Sequence, residues 1–203
     1  DTHDPVWTEL WRSTRQKWVA QLDALLQELG AEFDAIYFSS EVDEEGRKMV
    51  DELLKKGIAK KSQGAAIIDL ETQGLGVFLI LKTDGNTLYA TQDLALPKKK
   101  FTDFTVDRSI HVVDIRQALY FKQLFAVLRL IGFTMPMVHV AYDFVTLKEG
   151  AMSSRKGNFI TYQDFRDEMM RRVVDETQKR HDDWSSEKIR QTAWMIAEGA
   201  MKF

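Results

Sequence analysis

The chain has no cysteine, which excludes both a disulfide framework and a thiolate metal site. That composition suits a reducing compartment, and the cytoplasm is the expected location. Long apolar runs are also missing, so no helical membrane span is expected, and no signal peptide is visible at the start. Histidine is scarce. His3, His111, His139 and His181 stand far apart without metal-ligand spacing, so neither zinc nor any other protein-held metal is expected. An excess of positive charge is absent too: 28 Lys and Arg face 31 Asp and Glu, a net charge of -3. A protein that coats nucleic acid in general is therefore excluded, and any polynucleotide must be met by local patches. Repeats and low-complexity tracts are lacking. What is present is 203 residues, 44% of them hydrophobic, enough for one medium domain or a domain plus part of another.

Local patterns give the coarse architecture. Asp4-Pro5 is a capping acid followed by a proline suited to the first helical position. Trp7, Leu10, Trp11, Trp18, Leu22, Leu25, Leu26 and Leu29 then form one apolar helical face, closed by Gly30; the tryptophans read as core. Phe33 to Ser39 reads as a buried strand, and Glu44 to Gly57 as a helix with Met49, Val50, Leu53 and Leu54 inside. Ala65 to Leu70 and Val77 to Lys82 read as two short strands. Asp84-Gly85 marks a turn, Thr87 to Tyr89 a returning strand, and the Pro97-Lys98-Lys99-Lys100 run the end of the following helix. The three lysines read as a solvated exit rather than an RNA contact. Ser109 to Val113 and Val138 to Val145 read as strands around a helix from Arg116 to Ile131, whose Leu119, Phe121, Leu124, Phe125 and Leu128 read as core. Thr161 caps a helix to about Arg180, with Asp164 in a capping-box position, and a last helix spans Ser186 to Phe203. The order suggests an α/β layer with parallel pairing and a small antiparallel excursion.

Three stretches carry chemistry. Ala151 to Phe165, AMSSRKGNFITYQDF, joins a strand pattern to a helix pattern through two serines, Arg155, Lys156 and Gly157. Backbone N–H groups at a helix start and fixed cations favour an anion, although an ordinary solvated basic loop has the same composition. In Leu88 to Ala95, LYATQDLA, Tyr89 and Asp93 stand four apart and share one face if a helix starts there. A carboxylate beside a phenol suits a guanidinium, while an Asp at a helix start also serves as a cap or dipole partner. His111 to Phe125, HVVDIRQALYFKQLF, offers Gln117, whose amide could accept from an ammonium group or simply lie on the surface. His139 on the next strand pattern is either a ligand contact or a satisfied core histidine.

These stretches resemble arginyl-tRNA synthetases, in order and over essentially the whole chain. AMSSRKGN is similar to the KMSKS signature of class I aminoacyl-tRNA synthetases in its arginine-specific form, with Met152, Ser153, Arg155, Lys156, Gly157 and Asn158 matching. Ala151 replaces the first lysine, leaving Arg155 and Lys156 as candidates for its role. DGNTLYATQD is similar to the family pattern DG-x-x-x-Y-x-T-R-D, with Gln92 where arginine is usual. No HIGH-like motif is present.

The resemblance implies the second half of a class I synthetase Rossmann-like catalytic domain, α/β, with C-terminal helices. Residues 1–160 would be the KMSKS-side half, and 161–203 would lead toward an anticodon-binding domain. It implies arginine contacts at Tyr89, Asp93 and Gln117. ATP contacts are implied at His139, Met152, Ser153, Ser154, Arg155, Lys156 and Gly157, with Ser153, Arg155 and Lys156 catalytic. ATP with Mg²⁺, arginine and tRNA(Arg) are the expected substrates and partners, along with the other half of the catalytic domain. A monomer is expected. The chain starts at Asp1 and stops inside a helical pattern at Phe203, so a fragment, inactive alone, is expected. Rival readings are another class I synthetase, a non-catalytic synthetase-like module binding tRNA or protein, and a generic α/β phosphate-binding domain.

Overall fold

The computed structural model describes residues 4–143, 146–147, 150–152, 157 and 159–202. These fall into two compact units, one formed by 36–145 and the other by 1–35 with 146–203.

The first unit holds the main hydrophobic core. Helix α2 (Ser39–Lys55) buries Val42, Val50 and Leu53, as the spacing of its apolar residues requires. It starts five residues before the expected Glu44. A three-stranded antiparallel sheet follows, in the order β1 (Lys60–Ser62), β2 (Ala65–Asp69), β3 (Val77–Leu81). Between β2 and β3 the chain makes one 3-10 turn at Glu71–Gln73 and leaves it through Gly74, whose φ of 69° suits glycine. Helix α3 (Tyr89–Asp103) buries Leu94 and Ala95. The second sheet is a parallel pair, β4 (Ser109–Asp114) and β5 (Met137–Tyr142), in register from Ser109 opposite Met137 to Asp114 opposite Tyr142. Helix α4 (Ala118–Leu130) is the crossover between them and sends Phe121, Leu124, Val127 and Leu128 inward. Val50, Leu53, Ile68, Phe78, Ile80, Leu94, Leu124 and Leu128 meet in one apolar cluster. Gln123 ties α4 to the β2–β3 connection by donating to the Leu75 carbonyl at 2.7 Å.

In the second unit Asp4 caps α1 (Pro5–Glu28), its carboxylate accepting from Val6 N at 2.8 Å. A short hairpin, β6 (Thr146–Leu147) with β7 (Gly150–Ala151), follows in chain order. Thr161 caps α5 (Tyr162–Arg180) and accepts from Asp164 N at 3.1 Å. Helix α6 (Ser186–Lys202) packs on α5 through Ile189, Ala193 and Ala197. Arg166 donates to both carboxylate oxygens of Glu28, at 3.1 and 3.2 Å, joining α5 to the end of α1.

Several expectations need correction. Phe33 to Ser39 is no strand: Phe33 and Ile36 are exposed, and the Phe38 N–H is taken by the Glu41 side chain at the start of α2. An apolar, β-prone run without a partner strand becomes a connection. Thr87 to Tyr89 is no strand either. Thr87 donates to Asp43, and Tyr89 opens α3. Pro97 does not end its helix, which continues to Asp103; the ring is buried, and the helix forgoes one ladder hydrogen bond there. The α1 tryptophans are not core. Trp7, Trp11 and Trp18 are all exposed, because helical periodicity locates an apolar face without saying what covers it. Leu119, part of the expected core stripe of α4, is exposed as well.

Candidate functional site

The start of α3 is held to the sheet by one buried threonine. Thr91 receives the Leu88 N–H at 2.9 Å and donates its own hydroxyl to the Ile80 carbonyl on β3. That pair of hydrogen bonds caps the helix and fixes its rotation, and so fixes where Tyr89 and Asp93 stand. They lie one turn apart in very different surroundings. Tyr89 is 79% exposed, whereas Asp93 is half-buried. The Asp93 Oδ2 atom accepts from the Tyr120 hydroxyl of α4 at 2.5 Å. Burial raises the Asp93 carboxyl above its ordinary value, opposed by the Tyr120 hydrogen bond and by Lys100. Burial and the neighbouring Asp93 charge raise the Tyr120 phenol, so it remains a protonated donor. Among the described residues no cation forms an ion pair with Asp93.

Gln117 ends a 3-10 turn, Ile115–Gln117, that follows β4. Asp114, buried at the end of β4, organises that turn. Its Oδ1 accepts from Arg116 N at 3.0 Å and Arg116 Nε at 2.8 Å. Its Oδ2 accepts from Gln117 Nε2 at 3.2 Å. One amide hydrogen of Gln117 is thereby engaged by a carboxylate, which orients the group and leaves its carbonyl oxygen as an acceptor. The Arg116 hydrogen bond, with further help from Gln117, holds the Asp114 carboxyl down at about 2 against the opposing effect of burial. Its folded value lies below the ordinary 3.8, so its contribution to stability is complete above 3.8 and is lost as pH falls through about 2. We expect the amide signals of Arg116 and Gln117 to shift together in that window. Signals that stay fixed to pH 2 would contradict the assignment.

His139 lies half-buried on β5. Its Nε2 meets the Val113 carbonyl at 2.9 Å, and its ring stacks on Phe121 at 4.6 Å between centroids. Those are the contacts of a satisfied histidine; among the described residues the other ring nitrogen has no hydrogen-bond partner. His111, its register partner on β4, lies against Phe121 and Phe125. Burial, with Lys100 and His139 adding, lowers its proton affinity to about 4. Gln92 donates to Asp43 Oδ1 at 3.3 Å, and Arg47 donates to Asp43 Oδ2 at 3.2 Å. Position 92 thus supports the α2–α3 contact.

The KMSKS-like stretch is only partly visible. Met152 is half-buried and Gly157 occupies a turn at φ 68°, while Ser153, Ser154, Arg155, Lys156 and Asn158 lie outside the described residues. The structure therefore brings Asp93 and Tyr120 together and supplies Gln117 with an orienting partner. It records no hydrogen bond between Tyr89 and Asp93. The groove of about 320 Å³ between α2, α3 and α4, floored by Leu53, Leu94, Leu128 and Phe133, contains none of these residues. Tyr120, Asp114 and Asp43 were not singled out in the sequence. Tyr120 and Asp114 each lie three residues from Gln117, the only local signal for either.

The fold is that of the class I synthetases. It superposes on an arginyl-tRNA synthetase from Plasmodium falciparum with a TM-score of 0.74 at 18% identity, over 100% of this chain and 34% of that one. A putative arginyl-tRNA synthetase from Campylobacter jejuni gives 0.63 at 19% identity, over 79% of this chain and 36% of the other. The family model described as "tRNA synthetases class I (R), catalytic domain" matches residues 1–203, and the chain belongs to that family. Among curated relatives, arginine–tRNA ligase of Bdellovibrio bacteriovorus is 39% identical over 200 residues, covering 95% of this chain and 34% of the relative. The enzyme of the same name from Bacteroides thetaiotaomicron is 33% identical over 205 residues, covering 98% and 34%. The chain thus spans about a third of the length of these relatives. No described helix is long and apolar enough to cross a membrane.

Proposed function

We propose that this chain is part of an arginine–tRNA ligase, acting in the ATP-dependent activation of arginine to arginyl-adenylate and its transfer to tRNA(Arg). The observation that carries the arginine assignment is Asp93: a half-buried carboxylate, met by a neutral phenol and by no ion-pairing cation among the described residues. A guanidinium supplies the missing charge and two parallel N–H donors. Tyr89 contributes a flat, exposed wall one turn away. Gln117, one amide hydrogen directed to Asp114, presents a carbonyl oxygen suited to the substrate ammonium. Activation itself needs positioning and charge stabilisation more than a protein nucleophile. Ser153, Arg155 and Lys156 would stabilise the departing pyrophosphate. Met152, Ser154 and Gly157 would line the phosphates, and His139 the adenosine through its other nitrogen. Mg²⁺ enters with ATP, held largely by phosphate oxygens. Residues 1–160 form the KMSKS-side part of the catalytic domain in this reading, and 161–203 lead toward an anticodon-binding domain. The enzyme works in the cytoplasm as a monomer.

Calorimetric titration with L-arginine and L-lysine tests the substrate assignment. Arginine should bind at least tenfold more tightly, because an ammonium cannot reproduce the planar two-donor match. Equal affinity for the two amino acids would remove the guanidinium site from this reading.

A further inference from the structure

We propose that Tyr120 is a positioning residue for guanidinium recognition: its hydroxyl, donated to Asp93 Oδ2, fixes the plane in which that carboxylate meets a cationic side chain. The inference rests on the arginine reading of Asp93. A carboxylate turns easily about its last side-chain torsion, whose wells are broad. A point cation tolerates that rotation. A planar guanidinium does not, because its two parallel N–H groups must meet two oxygens in one plane. Selectivity for arginine therefore depends on what holds the Asp93 carboxylate still.

Tyr120 is built to do so. Its ring is wedged between Phe78 of β3, at 5.6 Å and 59°, and Phe121, at 5.3 Å and 86°. Helix α4 beneath it is tethered by Gln123 to the Leu75 carbonyl. The phenol thus reaches Asp93 from a rigid base in another element, 27 residues away in sequence. Its chemistry matters as much as its position. A lysine or arginine at 120 would neutralise Asp93 and close the site to a cation. A phenol donates one hydrogen bond, leaves the negative charge uncompensated, and keeps Oδ1 and the outer lone pair of Oδ2 for the ligand.

Tyr120→Phe keeps the ring and removes only the donor. The expected result is arginine affinity reduced about tenfold or more, a smaller loss for lysine, and a modestly lower melting temperature at neutral pH, because the Asp93 charge loses its hydrogen-bond donor. A second readout needs no ligand. Tyr120 lowers the proton affinity of Asp93, and so does Lys100 from the same helix. In the Tyr120→Phe variant only Lys100 remains, so the Asp93 carboxyl, followed by its ¹³C resonance, should titrate at higher pH. Undiminished arginine selectivity together with an unmoved Asp93 titration would overturn the role of Tyr120 and leave the arginine site standing. A wild-type chain that does not distinguish arginine from lysine, even with a shifted Asp93 titration, would overturn the arginine reading, and this proposal with it.

Discussion

Gly46→Ala should destabilise the first unit by about 2 kcal/mol or more, read as a lower denaturation midpoint. On an exposed helix the same change helps by roughly 0.5–1 kcal/mol, because alanine forms helix better than glycine. Here the sign reverses. Gly46 is buried on the face of α2 that meets α3, and a Cβ placed there would stand 2.3 Å from the Thr91 carbonyl oxygen and 2.9 Å from its carbon. Both are backbone atoms, which cannot swing aside as a side-chain end can. Relief requires the two helices to part, and overpacking of this kind costs about 1–3 kcal/mol or more, above the propensity gain. The displaced residue is Thr91, which ties α3 to Ile80, so the register of Asp93 against Tyr120 moves with it. Arginine affinity should fall along with stability. Gly199→Ala is the control: this glycine lies in α6, where an added Cβ meets no atom of the described residues within 4 Å beyond its own stretch of helix, and the change should be neutral or slightly stabilising. A Gly46→Ala chain as stable as its parent would show that the α2–α3 contact yields.

What could be read in the sequence was what local chemistry decides. Asp4-Pro5 and Thr161 with Asp164 are caps whose partners lie within four residues, and both form as their spacing requires. The strands Ala65–Asp69 and Val77–Leu81 combine β-prone composition with turn residues between them, and they pair. Strand β1 escaped notice because Lys60-Lys61-Ser62 is a polar edge with every residue exposed, so no alternation marks it. Pro97 misled because a proline usually stops a helix, whereas here its ring fills a buried position on α3. The exposed tryptophans of α1 show the limit of periodicity, which reports a face and not its cover. At the candidate site, Tyr89, Asp93 and Gln117 are singled out by family motifs alone. The Tyr120 contact was not, because a hydrogen bond between two helices has no spacing rule along the chain.

Asp93→Asn should separate stability from binding. Arginine affinity should fall by roughly 2–5 kcal/mol, thirtyfold or more, because the guanidinium would be desolvated against a neutral amide. Stability at neutral pH should hold or rise. The reason is the sign of the Asp93 shift. Burial lifts its folded-state proton affinity above the ordinary 3.8, so the fold favours the protonated acid. Its stabilising contribution is complete below 3.8 and is lost as pH rises through the folded value; at neutral pH the wild type holds a desolvated charge. Asparagine does not titrate. The wild type should therefore gain on the variant under mild acid and lose that gain toward neutrality. Arginine, by neutralising the carboxylate, should return stability to the wild type at neutral pH and give the variant almost none. Melting curves of both proteins with and without arginine, at two pH values, test each step. Equal arginine stabilisation of the two would remove Asp93 from the binding site. A large loss of stability in Asp93→Asn would instead make Asp93 a structural acid whose charge the fold already compensates.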